Sequence, residues 1–410
     1  MNYFINNTEA KDNKEAKDCL WKLLQTSENY LYLIWAWCSV NSWWKIMSTL
    51  WNILAWKEDK EWNLIIDSKW TTIKIDNFED LKKKAWYLSW ENLEELLTRI
   101  KITESYFESF GDSKKDEKEE MKNFREEIEK QLKKHCKDDI IIRVESKHLE
   151  LISKITNWRK LSLPRTKIFT LNYDTLFENA WNKLNYTIID WFSFSLPRTF
   201  NWTNFDLDIV KRNKNYLEKE DNFEKKVFHL YKLHGSINWD EDKDWIITQI
   251  DNAKWKLIYP WSSKYEESYD MPYFEMISRF QQELRKENVT LTIIWYSFSD
   301  NHINSMIKEA FKTNPSLNLV IVWKGNFEKK YEIWDDEKEY FLEKKDKDWV
   351  EYSYFSKIVI NSVDILNEWL KQNRVFLFNM YFEPFVDLIP WKDVKTKEEE
   401  IAEKLVNLIS

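Results

Sequence analysis

Five short, largely apolar runs recur along this chain: Tyr30 to Ile34, Lys167 to Leu171, Val227 to Leu233, Val289 to Ile294 and Leu317 to Val322. Each is bounded by turn-forming residues, the pattern of strands buried on both faces rather than one. Segments with helical spacing follow two of them, Thr175 to Lys183 and Asn301 to Lys312. Strand and helix in alternation can bury their apolar faces only as a parallel sheet with helices packed on it. The expected fold class is therefore α/β, with a Rossmann-like parallel sheet.

The alternation is interrupted once. Residues 51–150 are rich in Lys and Glu, with helical periodicity from Asn92 to Ile102 and from Lys115 to Lys134, and read as a mostly helical insertion. A further helix from Glu15 to Gln25 precedes the first strand. Beyond the last strand the chain is charged and mixed, apart from an aromatic run at Val375 to Phe385 and an amphipathic stretch from Lys397 to Ile409. The expected organisation is one domain over residues 1–330, carrying the insertion, and a small C-terminal extension over 331–410.

Composition excludes several classes. The chain has 410 residues, 43% hydrophobic and 32% charged, with no apolar run near the ~20 residues of a membrane span. Its first residues, MNYFINNTEAKDNKEAKD, lack the apolar core of a secretory signal, so a cytoplasmic protein with no membrane association is expected. Cys19, Cys38 and Cys136 form no CxxC pair, which rules out a disulfide framework and a four-cysteine zinc ribbon. A net charge of -8 disfavours nucleic acid as a direct ligand, because phosphate binding requires a basic face.

One imbalance affects every later inference. The chain holds 25 Trp and 3 Gly, whereas an ordinary chain is about 7% Gly. The tryptophans stand where a permissive backbone is needed: Trp43 and Trp44 beside Asn and Ser, Trp90 after Ser89, Trp158 after Asn157, Trp181 at a helix end and Trp323 near Gly325. A gene in which UGA specifies glycine, translated with UGA as tryptophan, would give this composition. A bulky indole where the turn demands positive φ would be strained.

Four segments carry chemistry. Leu33 and Ile34 lead into Trp35-Ala36-Trp37-Cys38-Ser39; with glycine at 35 and 37 this loop would let backbone N–H groups approach a pyrophosphate. A short loop of this kind also marks ordinary tight turns. TLNYDTLFE at 170–178 places Asn172 and Asp174 at the end of a strand, where open α/β sheets bind ligands, although Asp174 could equally be a helix N-cap. KLHGSINW at 232–239 puts His234, one of five histidines, beside Gly235; a histidine can act as a base near neutral pH, and a neighbouring glycine lets substrate approach. WYSFSDNHIN at 295–304 makes a second ligand-facing turn through Trp295 and Ser297, with Asp300 placed to cap the next helix and His302 on it in a structural role.

In this order the four segments resemble the sirtuin-like family, and its bacterial NAD-hydrolysing, anti-phage branch more than the protein deacylases. Trp239 sits where that resemblance places a true tryptophan. It implies NAD as substrate, cleaved at the nicotinamide–ribose bond to nicotinamide and ADP-ribose in defence by NAD depletion. Residues 35–39, Gly235, Trp295 and Ser297 would hold the dinucleotide, Asn172 and Asp174 would face the nicotinamide ribose, and His234 would act on that ribose or the incoming nucleophile. No metal is expected, and the missing zinc cysteines put an acyl-lysine groove in doubt. A toxic activity implies restraint by a homo-oligomer or regulatory partner. A deacylase, an ADP-ribosyl transferase and a non-catalytic NAD or ADP-ribose sensor are the competing readings.

Overall fold

The computed structural model describes residues 3–5, 8–10, 13–35, 78–85, 93–138, 145–159, 163–178, 185–210, 223–242, 246–250, 256–257, 272–296, 300–322, 327–331, 339–343 and 374–391. The strands are β1 (Tyr3–Ile5), β2 (Thr8–Ala10), β3 (Asn29–Ile34), β4 (Lys167–Thr170), β5 (Thr187–Ile189), β6 (Arg198–Thr199), β7 (Val227–Lys232), β8 (Gly235–Ser236), β9 (Trp239–Glu241), β10 (Ile247–Gln249), β11 (Lys256–Leu257), β12 (Val289–Ile294), β13 (Asn318–Val322), β14 (Phe327–Tyr331), β15 (Glu339–Glu343) and β16 (Val375–Phe378). The helices are α1 (Asn13–Thr26), α2 (Phe78–Lys84), α3 (Leu93–Glu108), α4 (Lys115–Asp138), α5 (Glu145–Trp158), α6 (Tyr273–Leu284), α7 (Asn301–Thr313) and α8 (Phe382–Leu388).

Seven strands form a parallel sheet in the order β16-β13-β12-β3-β4-β7-β5, extended at one edge by the antiparallel pair β1 and β2. Every residue of β3, β4, β7 and β12 is buried, as the apolar runs require. Side chains alternate across the sheet. Leu31 and Leu33 point into one core with Phe169, Tyr231, Leu291 and Ile293, while Tyr30, Tyr32 and Ile34 point into a second with Ile168, Phe228, Leu230 and Val320.

Helices close both faces. On the first, α7 presents Ile303, Met306, Ile307, Ala310 and Phe311 at the i, i+3, i+4, i+7, i+8 spacing of one helical stripe, beside Tyr273, Met276, Phe280 and Leu284 of α6. On the second, α1, α5 and α8 supply Leu20 and Leu24, Leu151 and Ile155, and Phe382 and Phe385. Each such side chain contributes about 1.5–3 kcal/mol when fully buried. The Rossmann-like reading holds.

Three features depart from or refine the sequence expectation. The aromatic run beyond residue 330 supplies β16, in parallel register with β13, and α8, so part of the C-terminal extension completes the sheet. The N-terminal hairpin of β1 and β2 and the small sheets β6-β10-β9 and β11-β8 were not legible, since strands of two or three residues carry no periodic signal. The insertion is helical where it is described: α3 and α4 run antiparallel around Leu97, Ile100, Phe124 and Ile128, with Arg125 bridging Glu104 and Glu129. Gly111, at φ +60, turns the chain between them. The stretch Lys397 to Ile409 lies outside the described residues.

Candidate functional site

The central strand β3 lies between β12 and β4: after it the chain builds β4, β5 and β7 on one side and then crosses to β12, β13 and β16 on the other. In an open parallel sheet such a reversal opens a crevice at the carboxyl ends of the strands. The four sequence motifs all leave the sheet at that edge, from β3, β4, β7 and β12.

Trp35 follows β3. Its N–H donates to the Ile294 carbonyl at 3.2 Å, and its ring meets that of Tyr296 edge-on with centroids 5.9 Å apart. Of the expected phosphate loop it is the described residue; Ala36, Trp37, Cys38 and Ser39 lie outside the described residues, as does Ser297.

After β4 the chain makes two side-chain turns. The Asn172 N–H donates to Thr170 Oγ1 at 3.1 Å, and the Leu176 N–H donates to Asp174 Oδ1 at 3.0 Å. Asp174 thus does cap the turn that follows, using one carboxylate oxygen. Both Asn172 and Asp174 are buried, an expensive place for polar side chains that only local hydrogen bonding or a bound ligand offsets.

Lys232, the last residue of β7, fastens this segment to its neighbour. Its ammonium donates to the Asp174 carbonyl, to Glu178 Oε1 at 2.9 Å and to Ser236 Oγ at 2.8 Å, with the Tyr173 carbonyl 3.4 Å away. The next turn begins with His234 and with Gly235 at φ 89, a conformation that side chains disfavour and that lets the chain reverse at once. The Ile237 N–H returns to the Tyr173 carbonyl at 3.0 Å.

His234 is buried, and its Nε2 stands 3.1 Å from Asp300 Oδ2. When Asp300 is ionised its carboxylate only accepts, so Nε2 is the donor in this contact. The other oxygen of Asp300 caps α7, accepting from the N–H groups of His302 at 3.0 Å and Ile303 at 3.3 Å. Tyr296 completes the cluster, its hydroxyl 3.0 Å from the Asp300 carbonyl and 2.9 Å from Asn304 Oδ1. Burial, and then the charge of Asp300, push the Tyr296 phenol well above its ordinary range, so it stays a neutral donor.

Trp295, between β12 and Tyr296, is buried at φ 53 and stacks on Tyr381 with centroids 5.6 Å apart. Trp158 ends α5, its indole N–H donating to the Pro390 carbonyl at 2.7 Å, and Trp239 is buried against Phe192.

The sequence motifs therefore converge on one edge, with His234 and Asp300 in direct contact and the Tyr173 ring 6.5 Å from that of His234. Sequence reasoning found Asp300 only as a cap and passed over Lys232 and Tyr296. A lysine at the end of a largely apolar strand was the available signal for Lys232; nothing local announced the contact between His234 and Asp300. Among the described residues no cluster of His, Cys, Asp and Glu could hold a metal ion, and no helix is long and apolar enough to cross a membrane.

Residues 166–346 match the SIR2-like domain. The SIR2-like span contains β4, β7, β12 and β13 with Asn172, Asp174, His234 and Asp300, while β3 and Trp35 precede it. Over these residues the chain is similar to SIR2-like domains, a likeness that favours an NAD-related activity. None of the curated proteins compared with the chain matches it.

Proposed function

We propose that this chain hydrolyses NAD at the nicotinamide–ribose bond, releasing nicotinamide and ADP-ribose, and that it does so in defence against phage by depleting NAD. The observation that carries this reading is the buried contact of His234 with Asp300, at the strand edge where the loop of Asn172 and Asp174 also ends. Asn172 and Asp174 face the nicotinamide ribose. As the glycosidic bond breaks, its electron pair leaves with nicotinamide and positive charge develops on the ribose, where the carboxylate of Asp174 offsets it. Water adds to the ribose carbon and gives its proton to Nδ1 of His234, which Asp300 holds in the required tautomer. Residues 1–330 form the binding unit, β16 of the 331–410 extension adds a strand to its sheet, and restraint comes from a homo-oligomer or a regulatory partner.

The pyrophosphate would rest on residues 35–39, where Ser39 and two glycines in place of Trp35 and Trp37 bring backbone N–H groups to the oxygens. Indoles at 35 and 37 would fill that space. The substitution follows from reading UGA as glycine, and Trp295 supports it: a bulky residue at φ 53 costs of order 1–3 kcal/mol that glycine avoids. Trp191 adds to the case, since its buried Nε1 has no hydrogen-bond partner among the described residues.

Incubating the glycine-restored protein with NAD, with and without an acyl-lysine peptide, tests the reading. Nicotinamide and free ADP-ribose should appear without the peptide. A strict need for peptide would move the assignment to a deacylase, and NAD binding without turnover would make the chain a sensor.

A further inference from the structure

Lys232 is not among the residues assigned to NAD chemistry, yet its surroundings are those of a working part. Its side chain is 4% exposed, and its three ammonium protons meet acceptors on two different segments: the Asp174 carbonyl and Glu178 Oε1 after β4, and Ser236 Oγ in β8. The Tyr173 carbonyl stands at 3.4 Å and also accepts from the Ile237 N–H at 3.0 Å and Ser236 Oγ at 3.3 Å. Hydrogen bonds to an ionised donor are short and strong, and several converging on one buried ammonium fix the peptides that bear the acceptors. Those peptides follow directly on Asn172 and include Asp174, while Ser236 is two residues from His234.

We propose that Lys232 is a positioning residue that locks the segment of Asn172 and Asp174 to the turn of His234, so that the two loops present one prearranged surface to the ribose. The inference rests on the NAD-cleaving reading for its consequence and on geometry for its substance. Removing the ammonium alone would leave Glu178, a half-buried carboxylate, without its ion-pair partner, so the informative variant is the double substitution Lys232→Met/Glu178→Gln, which removes the charge pair together.

Two readouts are taken on the full chain in its glycine-restored form. Amide hydrogen exchange should accelerate by about tenfold or more over residues 171–178 and 235–237 and stay unchanged in β12. Unchanged exchange in those two loops, or a uniform rise across the sheet, would overturn the proposal whatever the activity. In nicotinamide release, kcat should fall by about 10²-fold with KM changed by less than about threefold, as expected when reacting groups are misplaced by about 1 Å. Full turnover in the variant, with the parent active, would contradict the lock while leaving NAD cleavage intact. Absence of turnover in the parent would refute the NAD reading, and the exchange result would still decide the lock.

Discussion

Asp300 caps α7 with one carboxylate oxygen and holds His234 Nε2 at 3.1 Å with the other, joining two residues 66 positions apart through a single side chain. The position of the imidazole is therefore tied to the position of a helix. Asparagine is as good an N-cap as aspartate, so Asp300→Asn should leave the melting temperature within a few degrees of the parent. It should also lower NAD cleavage by about 10²-fold, because an amide no longer fixes the imidazole tautomer. Asp300→Ala should lose the same activity and about 1 kcal/mol of stability besides. Thermal melts beside turnover assays separate the two roles; full activity in Asp300→Asn would remove Asp300 from the site.

Asp190 should set part of the pH dependence of folding. Burial raises its carboxyl from the usual 3.8 to about 6, against the opposing pull of Arg198, whose guanidinium lies 2.6 Å away. A raised folded-state pKa means the native chain holds the proton more tightly, so this stability is complete below about pH 4 and lost as pH rises through about 6. The change is on the order of 2–3 kcal/mol. Asp190→Asn should flatten the unfolding free energy between pH 4 and 7 relative to the parent, measured by urea titration at each pH. The difference isolates Asp190 from His229, which burial holds well below its ordinary pKa and which destabilises the fold as pH falls. Parallel curves for parent and variant would contradict the assignment.

The positive φ of Trp295 and the indole of Trp35 beside Tyr296 make a joint prediction. A chain with glycine at 35, 37 and 295 should bind ADP-ribose, whereas the chain with all three tryptophans should not. Ligand at about 100 times its Kd adds about 2.7 kcal/mol to the bound form, several degrees in a melting scan. Equal shifts for the two chains, or none for either, would contradict a phosphate site at residues 35–39. Codons at these positions offer a separate check, for UGG throughout would remove the recoding.

Much of the fold was legible because parallel strands buried on both faces are continuous apolar runs. Val289 to Ile294 and the helix from Asn301 stand where the pattern placed them. The capping roles of Asp174 and Asp300 were legible for the same local reason. What was hidden is non-local. The hydrogen bonds of Lys232 to Asp174 and Glu178 join two strands, and the pairing of His234 with Asp300 depends on the turn at Gly235 and the start of α7 facing each other. No periodicity encodes such contacts. The strand at Val375–Phe378 was read as a run of aromatics beyond the domain, since its place depends on β13 leaving an unpaired edge.

Nicotinamide release from NAD by the glycine-restored chain, beside its His234→Ala and Asn172→Ala variants, tests the central claim most directly. The parent should release nicotinamide and both variants should fall by about 10³-fold or more, with melting temperatures close to the parent's. Undiminished release in both variants, or none from a folded parent, would contradict it.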